Sequence, residues 1–299
     1  IQGLLMCVTA VATFFVSLDL GGGLEAINQK LLAMDPSYMT FPGHSNTYPW
    51  QTYASMIVMW TFFTIGQPHL FTKFFTMKSY KVMFRAVIFG TAGFVFSAVF
   101  IEWCGVTGAV DFPGMQGKQT DFIVPLILQG GLPPILSSLM IAGIFSAGMS
   151  TISSLLLTTT STISRDFYQK LFKRDATDAE TLKLSRVVTV VLGLVAILIG
   201  IAKPGSIFQI ILFSFGGLGI WAAPIVIGMY WKRTSKAAVF VSMILGESLY
   251  FVILTKAQWL AFGFNPLIVA WLFTCAVLVV VSLFTKPASE AAIERHFGP

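Results

Sequence analysis

The chain has 299 residues, of which 56% are hydrophobic and only 11% charged, with a formal net charge of +6. A soluble domain carries roughly 25% charged residues, so this composition cannot cover a core of that size with polar surface. The basic balance would suggest nucleic acid in a soluble protein, but the charges lie in short stretches between long apolar runs, so no nucleic-acid partner is expected.

Apolar runs of about 18 residues or more predict eight transmembrane helices. The first, Ile1–Leu20, starts inside an apolar run without an initiating Met, as expected of a fragment with upstream sequence missing. An external loop, Gly21–Trp50, follows, with a short helix over Leu24–Met34 and then Pro36, Pro42, Gly43 and Pro49. The second helix, Thr52–Phe71, contains Gly66-Gln67-Pro68-His69. Glycine loosens a helix and proline removes an amide donor, so carbonyls freed there must find partners inside the bilayer. Such a break lines a cavity or binds a ligand, or it is a packing kink near the helix end. His69 alone reads as a hydrogen-bonded structural residue.

The third helix is Phe84–Trp103. A second external loop, Asp111–Gly131, holds Pro113, Gly114 and a short surface helix over Phe122–Gln129. The fourth helix, Pro133–Thr162, is rich in hydroxyls. Ala147, Ser150 and Thr151 fall at i, i+3 and i+4 and share one face, which Ser154, Thr158, Ser161 and Thr162 continue. Neutral oxygens suit a monovalent cation that must bind and leave. The alternative is that the hydroxyls bond back to their own helix or join neighbouring helices.

Asp166–Arg186 alternates charges and reads as a solvated helical extension and loop. The fifth helix is Leu184–Ala202. The sixth, Ser206–Trp231, contains Phe215-Gly216-Gly217-Leu218-Gly219 and Pro224, where close helix approach is the default reading. The seventh, Ala237–Leu254, places Glu247 near its middle, an intramembrane carboxylate that is either functional or paired within the bundle. The eighth is Asn265–Phe284, followed by the tail 285–299.

Strict alternation of these helices puts all but Lys30, Lys118, Lys203 and Lys256 of the 19 Lys and Arg residues on one side. By the positive-inside rule that side is cytoplasmic, giving a multi-pass protein of the cell inner membrane with both chain ends inside. Cys7, Cys104 and Cys275 lie in or near apolar runs and read as packing residues. His44, His69 and His296 are widely separated, and no nucleophile–base pair, phosphate-cradling loop or zinc spacing occurs, so an enzyme is not supported.

Three segments together resemble the sodium:solute symporter family, whose members include sodium/proline, sodium/pantothenate and sodium/sugar symporters. The fourth helix is similar to its A-x-M-S-T-x-S signature, here Ala147, Met149, Ser150, Thr151 and Ser153, followed by Asp166 and Tyr168. The second is similar to W-x-x-x-x-x-G-Q-P-H, beginning at Trp60. The sixth is similar to G-x-x-x-x-P-x-x-x-x-x-x-W-x-R, from Gly219 to Arg233.

The resemblance implies an all-α integral membrane protein of the LeuT-like inverted-repeat transporter fold, in which two five-helix repeats surround a midplane site. Residues 1–20 would be the last helix of the first repeat, 52–231 the second repeat and 237–284 two peripheral helices. The implied activity is sodium-coupled symport of a small organic solute by alternating access. The implied sodium ligands are the Ala147 carbonyl and the Ser150 and Thr151 hydroxyls, completed by carbonyls from a helix this chain lacks. The implied solute contacts are Trp60, Thr64, Gln67 and Pro68. Thr64 stands where proline transporters carry an aromatic residue, and Gly263–Trp271 has a loose likeness to pantothenate members, which favours a pantothenate-like carboxylate. The alternative is a transporter-like channel or a membrane sensor built on the same bundle.

Overall fold

The computed structural model describes residues 2–41, 43 and 49–298, and among them the fold is helical throughout, without a strand. Pro42 and His44 lie outside the described residues.

The elements follow the apolar pattern closely. Helix α1 is Gln2–Gly21 and α2 is Leu24–Met34. The second apolar run is not one helix. It forms α3, Trp50–Ile65, and α4, Pro68–Phe75, of 16 and 8 residues. Among the described residues, seven helices are therefore long and apolar enough to cross a bilayer, against the eight expected. The difference is the break at Gly66–Gln67, where Pro68 supplies no amide to continue α3.

Helix α5, Tyr80–Asp111, has 32 residues and a Ser79 cap whose hydroxyl accepts from the Val82 amide at 3.3 Å. It overruns the expected Phe84–Trp103 at both ends, since at 1.5 Å per residue it is about 48 Å long against roughly 30 Å of hydrocarbon. Helix α6 is Ile123–Gly131. Helix α7, Pro134–Ser161, runs on without a stop into a π-helix, Thr162–Phe172. Helix α8, Asp178–Ala202, starts before its apolar run because Thr177 and Glu180 form a reciprocal capping box. Helices α9, Ile207–Tyr230, α10, Lys236–Thr255, and α11, Pro266–Phe284, complete the apolar set. A short helix in the tail, α12, is Glu290–Phe297.

The chain divides into two compact units, Ile1–Pro36 with Phe71–Ile207, and Ser37–Leu70 with Phe208–Pro299. In the first unit α1 packs against α5, α6 and α7. Small residues set these approaches: a Cβ on Gly131 would strike Val16, and one on Gly143 would lie 2.5 Å from the Thr9 hydroxyl. Val16, Cys104 and Ile127 form the buried core there, so Cys104 is a packing residue. In the second unit α10 lies along α11, and Met59, Ile220, Tyr250, Leu267 and Ala270 form the core.

Candidate functional site

The break in the second unit is built by three consecutive residues. The Gly66 amide completes α3 by donating to the Phe62 carbonyl at 3.2 Å. The Gln67 amide turns back to Thr64 O at 3.4 Å instead of extending the ladder, and Pro68 contributes no donor. A new ladder then starts with Leu70 N donating to Gln67 O at 3.1 Å.

Gly66 is needed for a reason the helix-loosening argument does not give. Its φ of −77° is open to any residue. Its Cα hydrogen, however, faces α9 so closely that a Cβ would fall on the Leu218 carbonyl. The break is therefore pinned by backbone-to-backbone contact with the glycine segment of α9.

The four expected solute contacts lie together, on the last turns of α3 and the first residue of α4. Trp60, Thr64 and Pro68 are exposed, whereas Gln67 is only 7% accessible. The Thr64 hydroxyl donates to the Trp60 carbonyl at 3.3 Å, which leaves its lone pairs free to accept. The Trp60 ring meets Phe63 edge-on at 5.2 Å and Phe215 of α9 at 5.5 Å, and Phe63 stacks on Phe215 with centroids 4.1 Å apart. Phe63 and Phe215 are not among the expected contacts, because phenylalanine in an apolar run carries no signal distinguishing a lining residue from a lipid-facing one.

The glycines of α9 match the packing reading. Gly216 lies against Tyr250, whose hydroxyl donates to the Leu212 and Phe213 carbonyls at 3.3 and 3.2 Å. Gly217 leaves room for the Glu247 carboxylate, and Gly219 for Leu267. Glu247 is half-buried with Trp221 as a polar neighbour, and its Oε2 has no hydrogen-bond partner among the described residues.

In the first unit Ala147, Ser150 and Thr151 share the expected face of α7, with Ala147 half-buried and both hydroxyls exposed. Along this face Ser150, Ser154, Thr158 and Thr162 adopt the back-bonded alternative. Ser150 donates to Ala147 O at 2.8 Å, Ser154 to Ser150 O at 3.1 Å, Thr158 to Ser154 O at 2.9 Å and Thr162 to Thr158 O at 3.0 Å. Donation uses only the hydroxyl protons and leaves the oxygens as acceptors. The Ala147 carbonyl is different: it receives the helical ladder and the Ser150 hydroxyl, so a cation bound there must displace the latter.

A second set of hydroxyls serves packing. Thr160 meets Thr189 of α8 at 3.1 Å, and Ser185 of α8 donates to Ser164 at 2.7 Å. Beyond the π-helix, Lys173 and Glu180 pair at 2.7 Å, and this hydrogen bond holds the Lys173 ammonium above the usual lysine range. The cation-site and solute-contact residues thus sit in different compact units.

Long apolar helices, one of them interrupted by glycine and proline beside an aromatic cluster, define an all-α integral membrane protein. The chain belongs to the Sodium:solute symporter family, whose profile matches residues 1–246. It is 29% identical over 295 residues to a sodium/pantothenate symporter of Escherichia coli (strain K12), covering 98% of this chain and 60% of that protein. It is 27% identical over 303 residues to a high-affinity proline transporter of Bacillus subtilis (strain 168), covering 99% and 62%. A solved Na+-coupled sialic acid symporter superposes with a TM-score of 0.71 at 20% identity, over 97% of this chain and 62% of that one, and shares the LeuT-like fold. The chain spans about 60% of the length of the curated relatives it matches.

Proposed function

We propose that the protein containing this chain is a sodium-coupled symporter, moving a small organic solute across the bilayer by alternating access. The observation that carries the reading is the Gly66–Pro68 break, pinned to α9 and bordered by Trp60, Thr64 and Gln67. A half-unwound helix within a bilayer exposes backbone groups that only a ligand, water or another protein element can satisfy. Residues 1–20, 52–231 and 237–284 take the roles of last helix of the first repeat, second repeat and peripheral helices. Trp60, Thr64, Gln67 and Pro68 contact the solute. Ala147, Ser150 and Thr151 supply one side of the sodium site.

The solute favoured is a pantothenate-like carboxylate. Sodium/pantothenate symporters from Escherichia coli and Haemophilus influenzae are among the relatives, at 29% and 26% identity, and Thr64 offers a hydroxyl where proline transporters carry a ring. The protein is assigned to the cell inner membrane with both ends of the chain cytoplasmic, an orientation that the basic loops support.

Sodium dependence tests this. In the full-length protein, Ser150→Ala and Thr151→Ala each remove one neutral ligand. The sodium concentration for half-maximal uptake should rise about tenfold, the size expected for one lost interaction of about 1.4 kcal/mol. Unchanged sodium dependence in both variants overturns the site assignment.

A further inference from the structure

We propose that Phe215 of α9 is a specificity-determining solute contact, forming with Trp60 and Phe63 an aromatic wall against which the aliphatic part of the transported molecule packs. The proposal rests on the symport reading and adds a residue that the break itself does not contain.

Three observations carry it. The first is the ring geometry: Phe215 stacks on Phe63 at 4.1 Å with an interplanar angle of 18°, and both meet the Trp60 ring edge-on at 5.5 and 5.2 Å. The second is accessibility. Phe215 packs against the Met59–Tyr250 core yet stays half-buried, and Trp60 remains 44% accessible, so the cluster presents ring surface to whatever lies beyond it.

The third observation is fixation of the α9 backbone next to Phe215. Gly66 abuts the Leu218 carbonyl, and the Tyr250 hydroxyl holds the Leu212 and Phe213 carbonyls. Phe215 lies between these two anchors, so its ring is positioned relative to α3 by contacts on either side of it. The three rings offer ring surface and one indole and no carboxylate or ammonium, so they select C–H surface; polar groups of the solute fall to Thr64 and Gln67.

The test is initial-rate uptake of radiolabelled pantothenate and proline by the full-length protein in proteoliposomes under an inward sodium gradient, with matched reconstitution levels. Phe215→Ala should raise KM about tenfold for the transported probe, with kcat within about threefold and the sodium requirement unchanged. Phe215→Tyr retains the ring and should bring KM back to within about threefold of the parent. A KM for Phe215→Ala within about twofold of the parent overturns the proposal, as does a fall in kcat alone that Phe215→Tyr fails to rescue. Uptake indifferent to the sodium gradient in the parent protein overturns the symport reading instead, and the KM comparison still judges Phe215.

Discussion

Gly66 and Glu247 show how far a single residue's meaning depends on what it touches. Read along the chain, Gly66 is one of several glycines in apolar runs. In three dimensions it is the point at which a Cβ would meet the Leu218 carbonyl, a partner that cannot rotate away. Gly66→Ala should therefore cost about 1–3 kcal/mol, the range for overpacking, and uptake should fall even in protein that still inserts. Thermal unfolding in detergent beside Gly90→Ala gives the comparison, since nothing lies within 4 Å of a Cβ at Gly90. Equal shifts in the two variants would remove the pinning argument. Glu247 presents the opposite case. Its Oε2 lacks a partner among the described residues, and Gly217 makes the space for the carboxylate. A neutral side chain of the same shape keeps an acceptor for Trp221 and removes the cost of burying a charge with one oxygen unpartnered, so Glu247→Gln should keep stability within about 1 kcal/mol of the parent or raise it. Loss of folding in Glu247→Gln would show that the charge is satisfied by a group outside the described residues.

At the scale of elements, the hydropathy pattern carried most of the information, and what it missed has local causes. The short helix Leu24–Met34 and the ends of the last three apolar helices fall within two residues of expectation, because caps such as Ser235 and Asn265 stand where apolar periodicity stops. The break between α3 and α4 was legible as a weakness in Gly66-Gln67-Pro68, but not as a full separation, since proline also kinks helices without dividing them. The π-helix Thr162–Phe172 was not legible. Its Lys173 amide reaches back five residues to Tyr168 O, a register that composition does not encode. Of the proposed site, Trp60, Thr64, Gln67 and Pro68 stand in motifs legible in the sequence, while the ring contacts of Phe63 with Phe215 required the packing. Pro68→Ala tests the break as an element. Restoring the amide lets the ladder continue from α3 into α4, so uptake should drop at least about tenfold while expression and membrane insertion persist. Normal uptake in Pro68→Ala would mean that Gly66 and the α9 contact alone hold the helices apart.

Over the whole chain, each unit by itself joins loops that helix alternation assigns to one face of the membrane. In the first unit Lys118 donates to the Lys203 carbonyl, and Asp121 accepts from the Ile207 amide at 3.1 and 3.2 Å. Lys118 and Lys203 are two of the four basic residues assigned outside. The other end of that unit carries the π-helix and its pairs Lys170–Asp166 and Lys173–Glu180. In the second unit Arg233 donates to Leu283 O at 2.9 Å and Ser235 meets Thr285 at 2.6 Å, while Ser55 accepts from the Asn265 amide at 2.8 Å at the opposite end. These contacts fix which loops share a face without stating which face is cytoplasmic. The proposed orientation takes that step from the basic residues, because Lys and Arg in short loops resist translocation. Single cysteines at Lys118 and Lys256, introduced into the full-length protein with its native cysteines replaced, should react with a membrane-impermeant maleimide in intact cells. Cysteines at Lys173 and Lys232 should react only after permeabilisation. The reverse pattern would invert the topology while preserving the loop pairing; labelling of Lys118 and Lys173 from the same side would break the alternation itself, and with it the assignment of α7 as a single crossing.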